Sequence, residues 1–157
     1  MGKGPEKQGP GKMEQDTDKV KGYGKLLAPL LGKKFGPDVY AIEKGMAARF
    51  IQATGDDSSR WTVETPPTFP IALPPKTLLH ELFNAPIPLP RFLNGGNEYE
   101  FPKPIRVGDT ITVTATLTGV EEKQGKDGPV IVMRTEQEYI NQDGAMAVKG
   151  KHTYLRY

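Results

Sequence analysis

The chain has 157 residues, with 21 basic and 19 acidic side chains and a formal net charge of +2. That size suits one domain with a modest core, and the charge balance argues against nucleic acid as a partner. There is no cysteine, which excludes a disulfide framework and a thiolate metal site; no metal site is expected. No apolar run approaches the roughly 20 residues of a membrane span. The basic N-terminus lacks the apolar stretch of a secretory signal, so a soluble, cytoplasmic protein is expected.

Residues 1–19 are rich in lysine, glycine and proline and nearly free of apolar side chains. They cannot bury enough surface to offset chain entropy and are expected to form a disordered tail. Residues 20–157 are then left as a single domain. In GYGKLLAPLLGKKFG (22–36), Leu26, Leu27, Leu30 and Leu31 are expected on one side of a short helical turn that packs as an arm and stops at Gly32. DVYAI (38–42) is a strand candidate. From Glu43, Met46, Ala47, Phe50, Ile51 and Thr54 recur at helical spacing. Gly55 stands where a helix takes a left-handed cap, which presents Asp56 on a loop just beyond the helix. Asp56 there is either a functional carboxylate or an ordinary turn residue.

Residues 62–90 are proline-rich. PPTFPIAL (66–73) can hold only a turn or two of helix, because Pro70 and Pro74 each remove a donor. Leu78, Leu79, Leu82 and Phe83 predict a short amphipathic helix begun by Pro74 and Pro75. NEYEF (97–101) alternates. Ile111, Val113, Ala115 and Leu117 alternate with threonines, a strand with one apolar face. KQGKDG (123–128) reads as a turn, 130–140 as a strand, Gln142-Asp143-Gly144 as a hairpin turn and 145–157 as a last strand. The sum is an α+β domain: an antiparallel meander with the central helical segment covering one face.

The helix ending in Gly-Asp, the TPPTF segment (65–69), FPKPIRVGD (101–109) and the QDG hairpin occur in this order from about Phe35 to Tyr157. Together they resemble the MaoC-like dehydratase family, in its N-terminal, FAS1-like type of hot-dog domain. The resemblance implies an antiparallel sheet wrapped around a central helix, with two domains paired edge to edge. It also implies (R)-specific hydration of enoyl-CoA, or dehydration of 3-hydroxyacyl thioesters of CoA or acyl carrier protein, with no cofactor beyond that carrier. The family loop reads Gly-Asp-x-Asn-Pro-x-His. Its aspartate and histidine activate one water, and a backbone N–H at the start of the central helix polarises the thioester carbonyl.

Laid on this chain, the loop matches at Gly55 and Asp56. Ser58 and Ser59 stand for asparagine and proline, and Trp61 stands for the histidine. Indole has one N–H donor and no basic nitrogen, so the dyad is broken. Only Thr62, Val63 and Glu64 separate the loop from Thr65, where the family has a longer overhang. The two histidines, His80 and His152, are the other proton carriers to consider.

The retained scaffold with a lost base implies a non-catalytic subunit of a two-component hydratase. Gly55, Trp61, Pro67, Thr68 and Phe69 would then shape an acyl pocket; Trp61 could equally be a core or interface aromatic. The partner would be a hot-dog chain with an intact Asp-His loop, or a second copy. Two other readings stay open: a hot-dog thioesterase that uses Asp56, and an acyl-CoA-binding domain without chemistry. Lys103, Arg106, Lys149 and Lys151 are candidates for the CoA phosphates by charge and position alone.

Overall fold

The structure is a computed structural model and describes residues 20–157; the tail expected over 1–19 lies outside the described residues. Five antiparallel strands form one sheet: β1 (Lys34–Ala41), β2 (Phe92–Glu100), β3 (Thr110–Gly125), β4 (Gly128–Ile140) and β5 (Met146–Arg156). Their order is β1-β3-β4-β5-β2. Helix α1 (Lys44–Thr54), a 3₁₀ turn (Phe69–Ala72) and helix α2 (Lys76–Asn84) lie between β1 and β2 in the chain. The sheet wraps around this helical segment, which is the α+β hot-dog architecture.

Alternation decides which face is core. Ile111, Val113, Ala115 and Leu117 of β3 and Ile131, Met133 and Tyr139 of β4 are buried on the inner face. Two apolar clusters result. One joins Ile42, Ala47, Phe69 and Leu73 to the Ile111, Val113 and Val148 end of the sheet. The other seats Leu78 and Leu82 of α2, with Leu27, on Ala115, Leu117, Ile131 and Met133. Between them runs a buried polar belt of Thr135, Gln137 and His152. Within it Tyr139 Oη donates to Gln137 Oε1 at 2.6 Å, and His152 Nδ1 lies 3.1 Å from Tyr154 Oη. Tyr99 Oη and His152 Nε2 are buried with no hydrogen-bond partner among the described residues.

Arg156 closes one end of this core. Its guanidinium is buried and has four carbonyl acceptors: Leu82 at 2.8 Å, Ala85 at 3.2 Å, Ile87 at 2.9 Å and Leu89 at 2.9 Å. It therefore satisfies the C-terminal carbonyls of α2 and fixes the connection into β2.

Three expectations are corrected. The 22–30 segment winds as a 3₁₀ helix, in which Leu27, Leu30 and the following Leu31 pack on the core but Leu26 does not. Leu27 is fully buried, and Leu26 is 44% exposed. Phe83 likewise faces outward, 53% exposed, and stacks on Phe92 at 4.2 Å. Strands β1 and β2 begin four and five residues earlier than predicted, at Lys34 and Phe92. Each absorbs its glycines in a register shift, between Phe35 and Asp38 and between Asn94 and Gly96.

Candidate active site

The loop after α1 is built as its residues dictate. Gly55 caps the helix in the left-handed region (φ 69°) with its N–H on Gln52 O. Thr54 bonds back to Phe50 and Ile51, and Asp56 N–H reaches Ile51 O. The Asp56 carboxylate then closes the loop on itself. Oδ1 accepts the Asp57 N–H at 2.8 Å, and Oδ2 accepts the Trp61 indole N–H at 2.7 Å. Trp61 thus meets the aspartate as a donor, and its indole carries no lone pair that could take a proton. Asp57 does similar work for the turn: its Oδ1 accepts both the N–H and the hydroxyl of Ser59, which lowers the Asp57 pKa. Arg60 lies over the Trp61 ring, 5.1 Å from its centroid.

Downstream, the short connection runs straight to the sheet instead of overhanging it. Val63 O accepts from Val107 N, and Thr65 N and Oγ1 both donate to Ile105 O. Glu64 meets Arg106 at 3.3 Å. Trp61, Pro67 and Phe101, with Thr65, Pro104 and Ile105, line an open, mostly apolar cleft of ≈ 490 Å³.

Of the residues picked from sequence, Trp61 and Pro67 line this cleft, whereas Gly55 and Asp56 do not, and Asp56 reaches it only through its bond to Trp61. Thr68 is exposed at the start of the 3₁₀ turn. Phe69 offers no face to a ligand: it is fully buried, packed edge-on against Phe50 at 5.3 Å. A ring between the two prolines of a tight turn points into the core, and it backs the wall instead of forming it.

The first turn of the helical segment has few donors to aim at a carbonyl. Phe69 N–H is held by Pro66 O and Ile71 N–H by Thr68 O, and Pro70 has none. Neither histidine is a hydrogen-bond partner of Asp56. His80 is exposed on α2 beside Asn84, and His152 is buried under Tyr99, with its pKa lowered to about 4 by burial. Lys149 and Lys151 stand between glutamates on the outer sheet face, and Arg106 is committed to Glu64.

Sequence reasoning missed the contacts of Glu64 with Arg106 and of Thr65 with Ile105, which tie the loop's exit to the 105–107 segment. Their only trace was the shortness of the connection.

The geometry defines a hot-dog domain in which the loop after α1 pairs Asp56 with the Trp61 indole. A family model described as "FAS1-like, dehydratase domain region" matches residues 29–149, and the chain belongs to that family, a MaoC-like hot-dog domain. It is 26% identical over 112 residues to a UPF0336 protein of Streptomyces avermitilis, covering 62% of this chain and 75% of that one. Among solved structures, the ChsH1-ChsH2 complex from Mycobacterium tuberculosis gives a TM-score of 0.68 at 13% identity, over 86% of this chain and 95% of that one. The C-terminally truncated HadBC (3R-hydroxyacyl-ACP dehydratase) complex from the same organism gives 0.62 at 18%, over 80% and 96%. These two likenesses establish the fold. Among the described residues no helix is long and apolar enough to cross a membrane.

Proposed function

We propose that this chain is the non-catalytic, substrate-supporting subunit of a two-component (R)-specific enoyl-CoA hydratase or 3-hydroxyacyl thioester dehydratase. One observation carries the reading: the Trp61 indole N–H occupies one Asp56 oxygen and the Asp57 N–H the other. Proton transfer at C2 needs a group that can accept a proton within hydrogen-bond reach of one water. Here the loop keeps the family's shape but offers a donor in place of that acceptor. The first turn of the helical segment, with its N–H groups taken up by Pro66 and Thr68, supports the same reading.

In the proposal the base comes from a hot-dog partner with an intact Asp-His loop. This chain contributes the apolar cleft under Trp61 and Pro67 as a wall for the acyl chain. The substrate is a thioester of CoA or acyl carrier protein, with no further cofactor, in the cytoplasm. That two of the similar structures are complexes of hot-dog chains supports a paired assembly. A self-sufficient thioesterase using Asp56 is the competing reading; full hydrolytic activity retained by Asp56→Asn would remove it.

The test is crotonyl-CoA hydration by the purified chain alone, then with a hot-dog chain that has the intact loop. Activity only in the mixture is expected. Hydration at an ordinary enzyme rate by the chain alone overturns the proposal.

A further inference from the structure

Strand β2 carries Leu93-Asn94-Gly95-Gly96-Asn97, exposed from Leu93 to Gly96. Its register on β5 slips there. Asn94 lies across from Tyr154 and Gly96 from Thr153, which leaves Gly95 as the extra residue of a bulge. Of the chain's four asparagines, at 84, 94, 97 and 141, Asn94 alone precedes a glycine.

The Asn94 amide is held at both of its ends. Oδ1 accepts the Gly96 N–H at 3.1 Å, and Nδ2 donates to Asn97 Oδ1 at 3.0 Å. These two bonds settle which end of the amide faces the main chain. An asparagine side chain that reaches an N–H two residues on lies alongside the intervening peptide, here that of Gly95. A donor on Oδ1 draws electrons from Cγ, and it is placed to meet the charge that grows on that oxygen when a nucleophile adds to Cγ. The Gly95 nitrogen is the neighbouring nucleophile, and closing on it makes a five-membered ring. Residue 95 has no side chain to obstruct that approach.

We propose that Asn94-Gly95 is a site of spontaneous covalent modification in the folded chain. The Gly95 nitrogen bonds to Asn94 Cγ, the Cγ–Nδ2 bond breaks, and ammonia leaves with the proton that Gly95 gives up. The product is a cyclic imide. Water adds at one of its two carbonyls and reopens the ring, leaving aspartate or isoaspartate at 94. Nothing is oxidised or reduced, and water is the one co-reactant. Either product puts a new carboxylate on β2. Isoaspartate also lengthens the β2 backbone by one carbon, two residues from Phe92, which packs on Phe83 and Tyr154.

Asn141 is a comparison within the same molecule. Its Oδ1 also accepts an N–H two residues on, from Asp143 at 3.1 Å. The next residue, however, is Gln142, whose side-chain amide is tied to the Thr110 N–H and to Asp109. The same contact is present there with a side chain in the way.

The test incubates the full, folded chain near neutral pH in water enriched in heavy oxygen. Its peptides are then mapped by mass spectrometry with electron-transfer fragmentation, which separates aspartate from isoaspartate. Amide loss at Asn94 is expected to be at least about tenfold faster than at Asn84, Asn97 or Asn141. The product should carry one solvent oxygen, include isoaspartate, and form faster as pH rises. Gly95→Ala places a Cβ no nearer than 3.3 Å to Leu155 Cγ and Thr153 O, and a melting curve confirms that this variant folds. It should slow Asn94 to the rate of Asn141. In a parallel sample unfolded in urea, Asn94 should react no faster than in the folded chain. Three results overturn the proposal: a folded chain in which Asn94 lasts as long as Asn141, aspartate formed without isoaspartate, or a reaction that is faster in urea.

Discussion

Replacing Arg156 with methionine is expected to cost about 2–4 kcal/mol of stability. The guanidinium serves four carbonyls, and its bonds to Leu82 and Ile87 are buried. Methionine fills similar volume but leaves both of those acceptors without a donor, and a buried unsatisfied carbonyl costs about 1–3 kcal/mol. Part of that loss is returned, because the variant no longer desolvates a charge. The Ala85 and Leu89 carbonyls are only partly buried and can turn to water. For a chain of this size about 3 kcal/mol lowers Tm by roughly 6–12 °C. Thermal and urea unfolding, followed by far-UV CD and by the fluorescence of Trp61, the chain's one tryptophan, would measure it. Arg156→Lys should recover little, since one ammonium cannot span acceptors spread from Leu82 to Leu89. A methionine variant melting within about 2 °C of wild type would refute the argument that these carbonyls depend on Arg156.

Three further outcomes follow from the same geometry. His152 has its pKa lowered from 6.5 to about 4 by burial, so the native ring is neutral while the unfolded chain binds a proton below 6.5. Stability is therefore full above that pH and falls as pH drops toward 4. By about pH 4.5 wild type should have lost about 2 kcal/mol more than His152→Gln, measured by urea midpoints against pH. Gly150→Ala would place a Cβ 3.2 Å from both His152 Nε2 and Tyr99 Cε1 and 3.4 Å from Tyr139 Cε2. With three rings closing on one point it should destabilise by about 1–3 kcal/mol in a thermal melt. Trp61→Phe keeps the ring but deletes the 2.7 Å bond to Asp56; because the pair is exposed, the stability loss should stay below about 1 kcal/mol. Trypsin should nonetheless cut faster after Arg60, and an unchanged cleavage rate would count against the indole as the loop's clasp.

The strands legible in the sequence were those with one wet and one dry face. β3, β4 and β5 alternate because their outer faces carry threonines or charged side chains along much of their length, and the Gly55 cap was legible because helical periodicity stops on a glycine that needs φ near 69°. Edge strands gave less away. In β1 the Gly36-Pro37 pair, and in β2 the Asn-Gly-Gly-Asn run, carry breaker chemistry in sequence. At an edge that chemistry is tolerated, since only one side of the strand must pair. In the 22–30 arm the leucine spacing put Leu27, Leu30 and Leu31 on the core, and only Leu26 turned outward, because the segment winds as a 3₁₀ helix.

At the candidate site, sequence alone could align Trp61 with the histidine of the family loop but not say what its indole does there. Ser58, Ser59 and Trp61 look like decay when each is compared with the residue the family loop would place there. In three dimensions they close the loop. Asp57 gathers Ser59, and Trp61 turns its N–H onto Asp56 Oδ2. A loop free to drift would retain neither a 2.7 Å donor on Asp56 nor the left-handed cap that presents it. The loop is held closed, and at Trp61 it offers a donor and no basic nitrogen. That combination fits a surface that must match something, an acyl chain or a neighbouring chain, better than it fits a site in disuse. Shape and chemistry can therefore be separated by comparing Trp61→Phe with Asp56→Asn in the reconstituted pair. Trp61→Phe deletes the indole donor, and Asn in place of Asp56 leaves one carbonyl acceptor for two N–H donors, so each loosens the clasp and both should weaken substrate use to a similar extent. A much larger loss with Asp56→Asn would mean that the carboxylate acts on the substrate itself.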